Sequence, residues 1–305
     1  MDNIESTRNA ESEQARAIDL DVILTCGGRL HGDLSRRAPD NVKALLEFDG
    51  RTLLERALTT VIELAGLFEK RKGVYRVRAI AAVGPEAVKA ELQRMLESLQ
   101  PGVPVVFAAE GISLLDNMQV GYRALSELDA ATDNREFECE DSASKRALLI
   151  VSPDLPFIAA APLREFLIQL PYDADLSVPV VTKHDFLERF PGAPNKFTKL
   201  AEGYITMGSI FYISPRALEK NVGLFQDAHN SRRNVGKLFG MIGFMTVVKL
   251  IFGRLSVHEV EDRVSALTDS VVFAALGCDP ALAYDIDNEV NLDYALKLAA
   301  SSRRT

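Results

Sequence analysis

Residue types that could bind phosphate come together near the start of the chain. Residues 21–29 read as an apolar strand that runs into the paired glycines Gly27 and Gly28, and Lys43 follows just before a second apolar run. Glycine lets backbone N–H groups approach an anion without a Cβ in the way, so such a loop can hold phosphates. The lysine adds a mobile positive charge at the same place. The combination predicts a nucleotide site at the first strand of an α/β sheet.

A carboxylate, Asp154, follows the apolar run 147–151 within the sequence Val-Ser-Pro-Asp-Leu-Pro-Phe. Ligands of open parallel sheets bind beyond the carboxyl ends of the strands, so Asp154 is well placed to hold a divalent cation. The alternative is an aspartate that caps a helix or stabilises a turn, which is common after strands. The motif alone favours neither interpretation.

Asp285 and Asp287 supply a possible partner for that carboxylate. Alternation along an extended segment puts both aspartates on one side and turns Ile286 toward the core. Asp287 could instead cap the helix that follows. Aspartates from separate strand ends form the hard oxygen site that Mg²⁺ prefers alongside phosphate oxygens. Such a metal would neutralise an α-phosphate and a departing pyrophosphate.

The elements that must position these residues alternate between strands and helices. Continuous apolar runs predict buried parallel strands, and apolar positions at helical spacing predict the helices between them. The predicted strands are 20–24, 77–83, 103–108 and 147–151, and the intervening helices are 52–67, 86–96 and 114–125. Further predictions are helices at 162–170, 235–252 and 289–299, strands at 177–181 and 204–213, and an extended segment at 283–286. This alternation predicts a doubly wound α/β sheet.

Composition narrows the class of protein. The 305 residues are 47% hydrophobic and 26% charged, as in ordinary globular proteins. A net charge of −8 argues against nucleic acid as a partner, because phosphate backbones need a basic surface. Cys26, Cys139 and Cys278 fit neither a zinc site nor a disulfide framework, which favours a cytoplasmic location. No apolar run reaches the roughly twenty residues of a transmembrane segment.

The domain organisation expected from these patterns is simple. Residues 1–18 are polar and acidic and are predicted to be a disordered tail, and residues 19–300 are predicted to form one domain. The polar, acidic stretch near 132–145 is predicted to be a surface insertion. A helical elaboration is predicted near 216–275.

Four segments occur in an order typical of one enzyme family. They are Leu24-Thr-Cys-Gly-Gly-Arg29 followed by Lys43-Ala-Leu-Leu-Glu-Phe-Asp-Gly-Arg-Thr-Leu-Leu54, then residues 111–121, then Asp154-Leu-Pro156, then Asp285-Ile-Asp-Asn-Glu-Val-Asn-Leu292. Together they resemble the MobA-like nucleotidyltransferases, an NTP-transferase family related to molybdenum-cofactor and sugar-phosphate nucleotidyltransferases. The resemblance covers about 19–298, and its order is more specific than any single motif.

This resemblance implies a Rossmann-like three-layer α/β/α fold with a mostly parallel, mixed sheet. It also implies a Mg²⁺-dependent transfer of NMP from an NTP, with CTP or GTP favoured, to a phosphorylated small-molecule acceptor with release of pyrophosphate. Lys43, Asp154 and Asp287 would be catalytic, with the two aspartates holding the metal. Nucleotide-binding positions would be Thr25, Cys26, Gly27, Gly28, Arg29, Lys43, Gly84, Asn117 and Gly121. Gly208 and Ser209 would lie on the acceptor side.

Two departures from the family pattern concern the glycine loop. No proline directly precedes Lys43, and the arginine that relatives carry soon after the glycines is represented by Arg29, Arg36 or Arg37.

Other basic residues have two interpretations each. Lys183 and Lys199 could bind an anionic acceptor, or could be ordinary surface lysines. The apolar run 238–252, with basic residues nearby, could lie on a membrane surface and receive a lipid phosphate. A core-packing helix is the favoured interpretation, because glycines interrupt the run and the protein is acidic overall.

Two rival functions remain open. One is a glycosyltransferase of the related nucleotide-sugar fold, although its D-x-D usually lies in the middle of the chain and here it lies near the end. The other is a nucleotide-binding regulatory module without turnover, which retention of Lys43, Asp154 and Asp287 disfavours.

Overall fold

A computed structural model describes residues 17–70, 74–132, 145–231 and 244–303. The strands are β1 Ile18–Thr25, β2 Glu47–Phe48, β3 Arg51–Thr52, β4 Tyr75–Gly84, β5 Val105–Ala109, β6 Arg146–Val151, β7 Leu176–Thr182, β8 Thr198–Leu200, β9 Gly203–Met207, β10 Ile210–Ile213 and β11 Val272–Leu276. The helices are α1 Leu53–Lys70, α2 Glu86–Ser98, α3 Leu114–Thr132, α4 Ala160–Ile168, α5 Lys183–Arg189, α6 Pro215–Lys220, α7 Val222–Ser231, α8 Phe244–Ile251, α9 Val257–Thr268 and α10 Glu289–Ser302. Short 3₁₀ turns occupy Gly32–Arg37, Pro39–Asn41, Lys43–Leu45 and Pro280–Leu282.

One mixed sheet organises the molecule. Its strand order is β5-β4-β1-β6-β10-β7-β9-β8, and β11 pairs with β7. The neighbours of β1 are both parallel to it, which brings the carboxyl ends of β1, β4 and β6 to one edge. β10 lies antiparallel between β6 and β7. Ligands of such sheets bind at the carboxyl edge, so this edge is where a site is expected.

β9 and β10 both pair antiparallel with β7, one after the other along its length. Met207 pairs with Val180, and Tyr212 pairs with Ser177. The segment from Met207 to Tyr212 is therefore two residues longer than the segment of β7 that it pairs with, Ser177 to Val180. The two extra residues form a bulge at Gly208 and Ser209, between the two strands. Bulges of this kind redirect a strand and are common beside active sites.

Helices cover both faces of the sheet, which gives three layers. The buried residues of α1, α2, α4 and α10 pack with one face, and those of α3 and α6 pack with the other. The central strand β1 is buried almost throughout, because side chains on both of its faces meet a helical layer. α1 shows why the helices form: its apolar residues recur at helical spacing and are the buried ones. The predicted three-layer α/β/α fold with a mixed sheet is confirmed.

Several element predictions need adjustment. β11 was not predicted, because a short apolar run beside a helical region has no distinctive period. The segment 283–286, predicted to be extended, joins no strand ladder among the described residues, and it begins in a bend at Ala283 with φ −125° and ψ 6°. The predicted strand 204–213 is divided by the bulge, and β1 begins one residue inside the predicted tail.

Parts of four predictions lie outside the described residues. The parts that are not described are residues 1–16 of the tail, 133–144 of the insertion, 235–243 of the helix predicted at 235–252, and 232–243 of the helical elaboration. Within the range 216–275, the described residues form most of α6, then α7, α8, α9 and most of β11.

Candidate nucleotide and metal site

The glycine loop begins where β1 meets its parallel neighbours. Cys26 N–H donates to Val83 O at 2.7 Å, and Thr25 Oγ1 donates to Val151 O at 3.5 Å. Gly84, the last residue of β4, lies against Cys26: a Cβ built on it would stand 3.0 Å from Cys26 Cβ. Burial raises the pKa of the Cys26 thiol far above its usual range, so this cysteine packs rather than reacts.

Backbone hydrogen bonds hold Lys43 beside the glycine loop. Leu30 N–H donates to Asn41 O at 2.8 Å, and Lys43 N–H donates to Gly28 O at 2.9 Å. Arg29 and Val42 form an isolated antiparallel bridge, so the two ends of the intervening segment lie side by side. That segment can turn back because it makes two 3₁₀ turns and adopts positive φ at three residues, Gly32, Asp40 and Asn41. The predicted proximity of glycines and lysine follows from this closure.

Lys43 lies between two of the predicted aspartates. Its Nζ donates to Asp154 Oδ2 at 2.6 Å and to Asp287 Oδ1 at 3.1 Å. Asp285 joins them, and one carboxylate oxygen from each of the three aspartates lies within 4.8 Å of the others. Ile286 N–H donates to Asp154 O at 3.0 Å, which fixes the segment between Asp285 and Asp287 against the loop after β6.

The charges in this cluster shift one another's ionisation. Burial, together with the neighbouring Asp287 and Asp154 carboxylates, raises the pKa of Asp285 to about 6. Burial alone would lower the pKa of Lys43, but Asp154 and Asp287 outweigh it and the pKa is raised. Lys43 is therefore a fixed positive charge among three acidic groups.

The helix-capping alternatives for the aspartates do not hold. The cap of α10 is Asn288, whose Oδ1 accepts from Asn291 N–H at 3.1 Å, so Asp287 does not cap that helix. The residue that precedes α4 is Ala159, so Asp154 caps no helix there. Asp154 Oδ1 is buried and accepts no hydrogen bond from the described residues. A buried carboxylate oxygen without a partner, beside two more carboxylates, fits a hard cation.

Glu110 is a candidate site residue that the sequence did not reveal. Arg29 Nη1 donates to Gly27 O at 2.6 Å, and the same guanidinium pairs with the Glu110 carboxylate. A Cβ on Gly27 would stand 2.5 Å from Glu110 Oε2 and 2.8 Å from Asn117 Nδ2. A side chain at this position would therefore displace the ends of the Glu110 and Asn117 side chains. The available signal was the position of Glu110 directly after β5, at the same edge as the glycine loop.

Asn117 and Gly121, both on α3, have different surroundings. Asn117 Oδ1 accepts from Gly111 N–H at 2.7 Å, which holds the turn after β5 beside the glycine loop. At Gly121, α3 lies very close to the sheet: a Cβ on this residue would stand 2.7 Å from Ile23 Cγ2. The structure brings Asn117 to the site and gives Gly121 a packing role.

The bulge at Gly208 and Ser209, the two residues predicted to lie on the acceptor side, is hydrogen-bonded to the segments that carry Asp154 and Asp285. Gly208 N–H donates to Pro179 O at 2.8 Å, and Ser209 N–H donates to Leu282 O at 3.2 Å. Ser209 O in turn accepts from Ser152 N–H at 3.2 Å, two residues before Asp154. A Cβ on Gly208 would stand 2.4 Å from Leu282 O, so the turn before Asp285 can approach only because this residue is glycine.

The two predicted acceptor lysines lie farther out, around the β8–β9 hairpin. Lys183 Nζ stands over the rings of Phe197 and Tyr204, at 5.6 and 5.3 Å from their centroids. Lys199, on β8, packs its methylenes over Gly253.

Of the three candidate arginines of the loop, Arg29 and Arg37 make different contacts, and the Arg36 side chain makes no hydrogen bond or ion pair with the described residues. Arg37 pairs with Glu289 at 3.0 Å, away from the glycines. Arg29 is the one whose side chain contacts the glycine loop among the described interactions.

The described helices include none whose length and apolarity would allow it to cross a membrane. The run 238–252 is described from 244 onward, where Thr246 and Leu250 of α8 are half-buried, and Ile251 at its end and Phe252 just after it are exposed.

Known structures share this architecture. A hypothetical transferase from Thermus thermophilus is 23% identical, with a TM-score of 0.66 over 90% of this chain and 99% of its own. The 4-diphosphocytidyl-2C-methyl-D-erythritol synthase from Anaerococcus prevotii DSM 20548 is 12% identical, with a TM-score of 0.50 over 93% and 96%. No protein-family model and no curated protein matches the sequence. At these identities the likeness establishes the fold: the chain has the α/β fold of these transferase structures over nearly its whole length.

Proposed function

We propose that the protein is a Mg²⁺-dependent nucleotidyltransferase that transfers NMP from an NTP to a phosphorylated small-molecule acceptor and releases pyrophosphate. One observation carries the proposal. Separate parts of the chain bring a glycine loop, a lysine and three aspartates to one edge of the sheet. There Lys43 Nζ donates hydrogen bonds to both Asp154 and Asp287. Phosphate-binding backbone and metal-binding carboxylates are the two requirements of this reaction.

Each group has a role that follows from its chemistry. The Gly27 and Gly28 N–H groups bind triphosphate oxygens, and Lys43 neutralises charge on the α-phosphate or on the leaving group. Asp154 and Asp287 hold the metal, and Asp285 adds a third carboxylate beside them. A bound Mg²⁺ supplies charge neutralisation at phosphate oxygens. Catalysis then consists mainly of positioning, and no covalent enzyme intermediate is needed.

The contact of Glu110 with the glycine loop has to break before the loop binds phosphate. Glu110 lies over Gly27, and its negative charge is held there by Arg29. A triphosphate would compete with the Glu110 carboxylate for the same guanidinium, and we therefore assign Arg29 to the nucleotide. The same assignment covers Thr25 and Asn117, which lie at the loop, whereas Cys26, Gly84 and Gly121 support it through packing.

Two partners complete the proposal. CTP is the first nucleotide to test, because one of the similar structures is named for a diphosphocytidyl product, and GTP is the second. Gly208 and Ser209 face the acceptor side of the site, and Lys183 and Lys199 offer positive charge farther out around the β8–β9 hairpin.

The test is pyrophosphate release. Purified protein is assayed with each NTP and a panel of phosphorylated acceptors, in Mg²⁺ and in EDTA. We expect Mg²⁺-dependent release with one NTP, and at least about a hundredfold lower turnover for Asp154→Asn, since loss of a metal ligand costs several kcal/mol of transition-state stabilisation. Asp293→Asn, an exposed carboxylate on α10, is the matched control and should keep full activity. Near-normal turnover of Asp154→Asn would refute the metal assignment.

The same assay separates the rival functions. A glycosyltransferase would hydrolyse or transfer from a nucleotide sugar and would release a nucleoside diphosphate instead of pyrophosphate. A regulatory module would bind nucleotide, and gain thermal stability from it, without releasing any product.

A further inference from the structure

Among the described residues, part of one sheet face has no helix packed directly on it. β10 lies between β6 and β7, where a strand is normally covered on both faces, yet Phe211 on this strand is 37% exposed. The buried clusters on either side are separate, one formed with α3 and α6 and the other with Leu255 and Val257. The helical layer on this face is therefore divided in two.

A cavity of about 780 Å³ occupies the gap. Its wall is mostly apolar and includes Leu176, Val178, Phe211, Phe225, Leu250 and Phe273. Glu261 also lies at the wall. Its Oε1 accepts a hydrogen bond from Ala274 N–H at 2.7 Å, so this oxygen already has a partner. The volume is that of an ordinary small-molecule site, and the lining suits a hydrocarbon.

Some residues of the cavity wall are sequence neighbours of residues in the candidate site. Leu114 and Met118, on its wall, lie on the same turns of α3 as Asn117, which contacts the glycine loop. Met207, also on the wall, directly precedes the Gly208–Ser209 bulge beside the Asp154 loop. One end of the apolar space therefore adjoins both the nucleotide loop and the acceptor side.

Polar groups are present where the cavity approaches the β8–β9 hairpin. Lys196, Thr198 and Thr206 belong to the wall there, and Lys196 is exposed. An ammonium and two hydroxyls at the edge of an apolar space complement an anionic headgroup on an apolar chain.

We propose that the acceptor is an amphiphile, a phosphate monoester of a long apolar chain, with its chain in this cavity and its phosphate toward Asp154. This deepens the proposed function and rests on it. An acceptor phosphate oxygen forms a bond to the α-phosphorus of the NTP. The bond from that phosphorus to the bridging oxygen breaks, and pyrophosphate leaves with the electron pair, so no oxidant or further reactant is needed.

Binding of the chain can be measured without turnover, because the protein has no tryptophan. Phe211→Trp places the single indole in the cavity, and Tyr172→Trp places it at a residue that is 53% exposed and does not belong to the cavity wall. The probe is 12-bromododecyl phosphate, whose bromine quenches a nearby indole, with 2-bromoethyl phosphate as the short-chain control. We expect saturable quenching of the Phe211→Trp indole by the long probe alone, and no saturable quenching in Tyr172→Trp.

Filling the cavity should abolish this binding. Val178→Phe and, separately, Ala274→Leu are introduced into the Phe211→Trp protein, with Val290→Phe on the exposed face of α10 as the matched control. Circular dichroism and thermal unfolding establish that each variant is folded. At least one folded cavity variant should show a roughly tenfold or larger loss of affinity for the long probe, and Val290→Phe should show none. Absence of saturable quenching, or quenching that both cavity variants leave unchanged, would overturn the proposal.

Kinetics distinguish this inference from the proposed function. With the cognate NTP, dodecyl phosphate should have at least about a hundredfold lower KM than ethyl phosphate, since each buried methylene contributes about fourfold. Equal KM values, with pyrophosphate release intact, would refute the apolar acceptor and leave nucleotidyl transfer standing. Saturable quenching with no pyrophosphate release from any NTP would refute nucleotidyl transfer and, with it, the acceptor role, leaving only a site for apolar chains.

Discussion

At the scale of single residues, Lys43 determines how the acidic cluster behaves without a metal. Its side chain and that of Asp154 are 15% and 13% exposed, so their pair is poorly screened by solvent. Asp287 is 66% exposed and its contact with the lysine contributes less. Lys43 therefore serves as the counter-charge that lets Asp154, Asp285 and Asp287 lie together.

Lys43→Met should destabilise the metal-free protein by about 3 kcal/mol, because a poorly solvated carboxylate loses its partner. Mg²⁺ should restore more stability to this variant than to the wild type, since the cation can take over the neutralisation. The measurement is thermal unfolding in EDTA and in Mg²⁺. The control is Lys89→Met, whose ammonium pairs with Glu86 at the surface and should change stability by about 0.5 kcal/mol or less. A Lys43→Met protein as stable as the wild type in EDTA would contradict this account.

At the scale of elements, the distance between α3 and the sheet depends on Gly121. This residue lies in the middle of a helix, where alanine is ordinarily favoured by about 1 kcal/mol. Ile23 and Val83 occupy the space that a Cβ would need, at 2.7 and 3.0 Å. Close packing on the strands that lead into the glycine loop thus overrides helix propensity.

Gly121→Ala should lower the free energy of unfolding by about 1–3 kcal/mol, since overpacking outweighs the gain in propensity. Gly66→Ala is the matched control, because Gly66 is also inside a helix and no atom lies within 4 Å of the position that its Cβ would take. That variant should gain up to about 1 kcal/mol. Urea unfolding of both proteins checks the pair, and equal effects of the same sign would show that packing at Gly121 is not limiting.

At the scale of the whole molecule, Asp175 connects three distant segments around β7. Its Oδ1 accepts from Ser214 Oγ at 2.6 Å, and its Oδ2 accepts from Val271 N–H at 3.0 Å and from Arg216 Nη2 at 2.8 Å. Burial would raise the pKa of this carboxyl, but these hydrogen bonds and the Arg216 charge outweigh it and the pKa is lowered. The ionised carboxylate thereby joins the strand β7, the start of α6 and the start of β11.

Asp175→Asn should cost about 2 kcal/mol at pH 7, because hydrogen bonds to an ionised group are replaced by weaker ones. A lowered folded pKa contributes stability above the unfolded value of 3.8, and this contribution is lost as pH falls through the folded pKa. The difference between wild type and variant should therefore persist from about pH 7 to pH 5 and shrink below pH 3.8. Urea unfolding across this range measures it, with the exposed Asp173→Asn as control. A difference that stays constant with pH would exclude the charge as its cause.

The sequence by itself determined the layers, the sheet edge and the main candidate site residues. Buried strands and amphipathic helices have distinct periods, so their alternation predicted the three-layer fold. Glycines and aspartates directly after strands predicted the carboxyl-edge cluster, because parallel strands must end at a common edge. Gly27, Gly28, Lys43, Asp154 and Asp287 were all identified in this way.

Tertiary structure alone decided which side chains meet across the fold. Glu110 over Gly27, the bulge at Gly208, and the packing of Gly121 against Ile23 each depend on distances between segments far apart in sequence. Periodicity describes one segment at a time and contains no such distances. The cavity beside Phe211 has the same origin: apolar residues predict a buried face, and only the arrangement of the described helices shows which part of that face they leave uncovered.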